Sequence, residues 1–100
     1  MRTITVDPVT RTIMESEIDR DTHLIAKRFA SRPHVAARFP NGDVLLAAPS
    51  EGMPVFTIGG SKPVGGLALV VGPRRSYGER APARTSLDDV TSMVRWLRTS

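Results

Sequence analysis

The chain has 100 residues, of which 40% are hydrophobic and 24% charged, with a formal net charge of +4. That is one domain's worth of polypeptide with enough apolar content for a core, so a second domain, a fibrous repeat and wholesale disorder are excluded. With no cysteine, a disulfide framework, a thiolate zinc site and a cysteine nucleophile are excluded too, and a cytoplasmic setting is the expectation.

The charge is uneven. Residues 1–21 carry three arginines against five acids, a balance of −2, which leaves +6 on the rest. Arginine outnumbers lysine twelve to two. A GC-rich genome accounts for such a bias, but arginine also suits bidentate recognition of phosphate or carboxylate. The N-terminal residues Met1 to Pro8 lack the apolar core of a signal peptide, and the longest apolar run, Leu67 to Val71, is far short of a bilayer span. Neither export by that route nor a membrane partner is expected.

Taken in order, Thr3 to Val6 and Thr12 to Ile18 are rich in β-branched residues and flank Asp7-Pro8, which favours a turn. They predict an opening hairpin. Alternation in its second strand predicts Thr12, Met14, Ser16 and Ile18 facing the core, with Glu15 and Glu17 solvated. Asp21-Thr22 offers N-caps for a helix to about Ala30, with Leu24, Ile25 and Phe29 on its apolar stripe, ended by Pro33.

A second hairpin follows. His34 to Phe39 and Val44 to Ala48 flank Asn41-Gly42, the strongest short turn signal in the chain. Pro54 to Ile58 and Leu67 to Gly72 predict two more strands, split by a polar, glycine-rich connection over Gly59 to Gly66. Pro73 to Ala83 has no periodicity and predicts an exposed loop. Ser86-Leu87-Asp88-Asp89 then opens a closing helix whose buried face would comprise Leu87, Val90, Met93 or Val94, and Leu97, with Trp96 flanking it and Arg95 exposed. The resulting expectation is a single α+β domain over residues 1–100, with a small mixed, mainly antiparallel sheet of about six strands and two helices.

No residue pattern points to catalysis. Gly59-Gly60-Ser61-Lys62 lacks the spacing and the following helix of a phosphate-binding loop, so a hairpin-like connection is the better reading. His23 and His34 lie eleven apart without metal-pair spacing, no G-x-S-x-G occurs, and Asp88-Asp89 is explained as a helix start. No cofactor is expected. The candidate binding residues are Arg74, Arg75, Tyr77, Arg80 and Arg84, because arginines around an aromatic ring suit phosphate backbones and stacked bases. A merely solvated loop is the plainer alternative.

Several motifs resemble a family of small phage, plasmid and actinobacterial proteins of unknown function (DUF3846-like). They are the opening hairpin, Asn41 to Leu46 leading to Ser50-Glu51-Gly52, Pro63 to Gly72, and Thr85 to Val90 before a closing helix. Arg32-Pro33-His34-Val35 and Met53-Pro54-Val55-Phe56 depart from that pattern. The resemblance implies a phage or mobile-element setting but carries no activity or site residues. The functional expectation is a non-enzymatic interaction protein that binds a host protein with an acidic surface through exposed loops, or alternatively nucleic acid through residues 73–84. Edge strands and Trp96 could also pair two copies as a homodimer.

Overall fold

The computed structural model describes residues 1–18, 25, 27, 29, 31–48, 52–75 and 79–97. Eight strands and one helix lie within them: β1 (Arg2–Asp7), β2 (Thr12–Glu17), β3 (His34–Arg38), β4 (Val44–Ala47), β5 (Val55–Ile58), β6 (Val64–Gly65), β7 (Ala68–Val71), α1 (Leu87–Met93) and β8 (Val94–Trp96). The strands form a five-stranded sheet in the order β2-β1-β7-β4-β3 and a three-stranded sheet in the order β6-β5-β8. Every strand pairing is antiparallel.

The protein is therefore mainly β, which corrects the expected α+β class with one mixed sheet of six strands and two helices. All six expected strands are present, and two short ones were missed. The helix expected from Asp21-Thr22 to Ala30 falls largely on residues 19–24, 26, 28 and 30, outside the described ones.

The closing helix is shorter than expected. Ser86 caps it by accepting from the Asp89 N–H, but it stops at Met93, and Val94, Arg95 and Trp96 continue as a strand opposite Ile58, Thr57 and Phe56. The spacing of Leu87, Val90, Val94 and Leu97 suits a helix. The run Val-Arg-Trp, half-buried, exposed, half-buried, suits a strand equally, and the free edge of β5 decides between them. The Gly59–Gly66 connection is likewise partly sheet. Gly59 and Gly60 both have positive φ and the Ser61 N–H donates to the Ile58 carbonyl, a type I′ pattern that turns the chain back so that buried Val64 pairs with Phe56.

The register sorts the large sheet into two apolar faces. Ile4, Val6, Leu45, Ala47, Ala68 and Val70 meet Phe56, Ile58, Val64 and Val90 from the small sheet and helix, with Trp96 and Ile13 packed at the margin. Val44, Leu46, Leu69 and Val71 on the opposite face meet Ile18 and Ile25, with Phe29 and Val35 alongside. Both faces of the central strands are thus covered, so β4 and β7 are buried at every position. In β2, Ile13 faces the core opposite Val6, while Met14 is 56% exposed. Ile18 is buried as expected, on the second face, but Ile13 rather than Met14 packs on the core, because the β1 partner sets which residues of an edge strand are covered. Glu15 and Glu17 are exposed as expected.

Candidate functional site

Residues 72–86 connect β7 to α1, and the described residues of their first part, 72–75 and 79–81, pair as an antiparallel ribbon, called the hairpin below, rather than an irregular loop. The Gly72 N–H donates to the Ala81 carbonyl (2.9 Å), the Ala81 N–H to the Pro73 carbonyl (2.9 Å), and the Arg75 N–H to the Glu79 carbonyl (2.7 Å). Arg74 and Arg80 face each other across an antiparallel bridge. Opposed residues in such a pair share a side of the ribbon, so both guanidinium stems leave from one side and Arg75 from the other. Only glycine fits at position 72, where a Cβ would lie 2.5 Å from the Ala81 and Pro82 carbonyl oxygens.

The base of the hairpin is fastened by two charged side chains, Asp43 from the β3–β4 turn and Arg2 from β1. Asp43, fully buried, accepts at Oδ2 from the Arg84 N–H (2.8 Å), the Thr85 N–H (2.7 Å) and the Thr85 hydroxyl (2.7 Å). Arg2 donates through Nη1 to the carbonyls of Ala83 (2.9 Å) and Thr85 (2.8 Å), and through Nη2 to Glu15 (2.6 Å). Apart from the Arg2–Glu15 pair, these contacts join residues more than forty apart in the chain. Asp43 reads in the sequence as a turn residue after Asn-Gly, so nothing there announced its role as a buried acceptor.

Of the sequence candidates, Arg74 and Arg75 are exposed on the hairpin, Arg80 is half-buried and Arg84 is exposed just beyond it. Tyr77 lies outside the described residues. Arg38, at the end of β3, joins the group: the Arg80 guanidinium is held below the usual arginine range by its burial, and then by the positive charges of Arg74 and Arg38. The ion pairs among the described residues are Met1 with Glu17 and Arg2 with Glu15, so Arg38, Arg74 and Arg80 have no acid partner among them. Arg38 stands 36 positions before Arg74, and only the strand order could have placed it here.

Of two clefts, the first adjoins the hairpin base through Thr85. It measures about 390 Å³ and is lined by Phe39, Asn41, Thr85, Asp89, Ser92 and Met93, and the second, of about 240 Å³, by His34, Ala36, Ala47, Pro63 and Val64. Among the described residues no group of three His, Cys, Asp or Glu side chains could hold a metal ion, and no helix is long and apolar enough to cross a membrane. The turn at Gly59-Gly60 is followed by β6 and not by a helix, so that segment has the form of a hairpin connection.

No family model matches the chain, and neither a curated protein nor a solved structure matches it. The resemblance drawn from the sequence motifs therefore rests on those motifs alone.

Proposed function

We propose that this chain is a non-enzymatic interaction protein that binds an anionic host macromolecule through the basic segment over residues 73–84, which contains the hairpin. The observation that supports the reading is the accumulation of Arg74, Arg75, Arg80 and Arg84 on one compact, anchored segment, with no acidic partner for them among the described residues. A surface of that kind raises the local concentration of anions and speeds their association. The motif resemblance would set this binding in a phage or mobile element acting in the host cytoplasm.

Affinity capture from host lysate tests it. The wild type is compared with a variant carrying alanine at Arg74, Arg75, Arg80 and Arg84, and with wild type after nuclease treatment of the lysate. A macromolecule retained by the wild type, released by salt and lost with the variant is the expected result. Equal retention by the variant would sink the proposal. Two anionic surfaces fit this hairpin, that of an acidic protein and that of a nucleic acid; Arg38 bears on the choice.

A further inference from the structure

We infer that Arg38, Arg74 and Arg80 together form a site for the phosphates of a nucleic-acid backbone, at the junction of β3 and the hairpin. This deepens the preceding reading and rests on it. The sheet register brings the three together. Arg38 lies opposite Val44, and Val44 opposite Val71, on adjacent strands. The hairpin leaves β7 one residue after Val71, so Arg38 ends β3 at the same end of the sheet. The β3–β4 turn also lies against the hairpin base, since a Cβ on Gly42 would be 4.0 Å from the Pro73 ring.

Arg80 is partly withdrawn from water and is repelled by the positive charges of Arg74 and Arg38, and no acid among the described residues pairs with any of the three. An anion placed among them replaces that repulsion with attraction, and each planar fork can hold two phosphate oxygens. Phosphate groups suit the arrangement because one group accepts from several donors and the next follows along the backbone.

The apolar surface argues against an acidic protein as the occupant. Protein interfaces draw most of their affinity from aromatic or aliphatic anchors buried at the centre. The large hydrophobic side chains exposed among the described residues are Val9 and Met14, on the β1–β2 hairpin at the edge of the large sheet opposite β3, and Met53, just before β5. Binding to a phosphate backbone needs no such anchor. Because phosphates carry no sequence information, the binding would be indifferent to base sequence.

Fluorescence anisotropy with labelled random-sequence single-stranded and double-stranded oligonucleotides tests the site, with circular dichroism confirming that each variant is folded. Wild-type affinity should fall steeply between about 50 and 200 mM salt. Arg38→Ala, Arg74→Ala and Arg80→Met should each weaken binding about tenfold at low salt and lower the slope of log affinity against log salt by about one. Arg95→Ala, an exposed arginine on β8, should bind as the wild type does. Inorganic pyrophosphate should compete only weakly, because it occupies this site alone, whereas an oligonucleotide also sets further phosphates against the rest of the basic segment. Arg38→Ala binding like the wild type would overturn the inference, as would a poly-glutamate peptide competing as well as unlabelled oligonucleotide. If the wild type ignores oligonucleotides yet captures an acidic protein through its hairpin, this site fails and the broader proposal stands. If it binds neither, both fall.

Discussion

The Asp43 carboxylate and the Thr85 hydroxyl meet at 2.7 Å in a place where Asp43 is fully buried, and the same carboxylate oxygen also takes the backbone N–H groups of Arg84 and Thr85. Three donors on one oxygen make this the firmest attachment of the hairpin to the sheet. Replacement by Asn leaves donors facing an amide, and replacement by Ala leaves buried N–H groups with no acceptor. Asp43→Ala should lower stability by roughly 2 to 4 kcal/mol, and Thr85→Val by about 1 kcal/mol. Urea unfolding of both single variants and the double variant should show a coupling well above zero. Strictly additive losses would mean that the bond contributes nothing.

Arg2 supports the same segment through two backbone carbonyls, whereas its ion pair with Glu15 lies on the surface, with the Glu15 side chain 51% exposed. The carbonyl contacts should matter more than the ion pair. Arg2→Met should cost about 1 to 3 kcal/mol, and Glu15→Gln no more than about 0.5 kcal/mol. Thermal unfolding at low and high salt checks this: the Arg2→Met loss should persist in salt. A Glu15→Gln loss equal to that of Arg2→Met would reverse the assignment.

The strands that sequence reasoning located include those with a run of four or more β-branched or other apolar residues, as in Thr3 to Val6 and Val44 to Ala48. β6 is two residues long, between Pro63 and Gly66, too short for any periodicity. β8 was hidden because Val94 and Leu97 continue the helical spacing of Leu87 and Val90, and no proline or glycine marks the end of the helix. What overrides the pattern is a long-range pairing with β5, which local sequence does not contain. The same holds for the site: the arginine-rich segment is visible in composition, while Arg38 becomes part of it only through the order β7-β4-β3. The inward turn of Ile13 in place of Met14 is fixed by the register with Val6, again a property of the partner strand.

Placing Trp96 in a strand has its own consequence. Its ring stands edge-on to Phe56, with centroids 5.9 Å apart and planes at 66°, and Phe56 is fully buried. Phe56→Ala should cost about 3 to 5 kcal/mol, and Trp96→Leu should lose the aromatic pairing, about 0.5 to 1.5 kcal/mol beyond the change in area. Arg95, exposed between them, should tolerate alanine within about 0.5 kcal/mol. Trp96 is the sole tryptophan, so its fluorescence reports directly on the seating of β8. Unfolding midpoints of Arg95→Ala and Trp96→Leu that coincide would show that β8 is turned the other way.

Gly72 tests the hairpin through the backbone. Its added Cβ would meet carbonyl oxygens and not a movable side-chain end, so the strands at the hairpin base must part. Gly72→Ala should cost roughly 1 to 3 kcal/mol and weaken anion binding although no charge has changed. Amide hydrogen exchange should show faster exchange at Gly72 and Ala81, whose N–H groups close the base. Unaltered protection there would mean that the hairpin tolerates the extra carbon.

The last prediction concerns the free protein. A cation whose folded-state pKa is lowered holds its proton less tightly when folded than when unfolded, so the charged form disfavours folding. That penalty is fully present below the folded pKa and is relieved only as pH rises towards the unfolded value. For arginine this window lies far into alkali, so no ordinary pH scan will reveal it; substitution will. Arg80→Met keeps the unbranched stem and removes the charge, and should raise stability in low salt by no more than about 1 kcal/mol, since solvent screens a half-exposed group. The gain should shrink as sodium chloride screens Arg38 and Arg74 from the wild-type Arg80. Sulfate should stabilise the wild type more than Arg80→Met, by occupying the same three arginines. Thermal melts of both proteins in chloride and in sulfate at matched ionic strength decide the matter. If Arg80→Met melts below the wild type in low-salt chloride, Arg80 is a structural residue, and the repulsion that the anion site is meant to relieve does not exist.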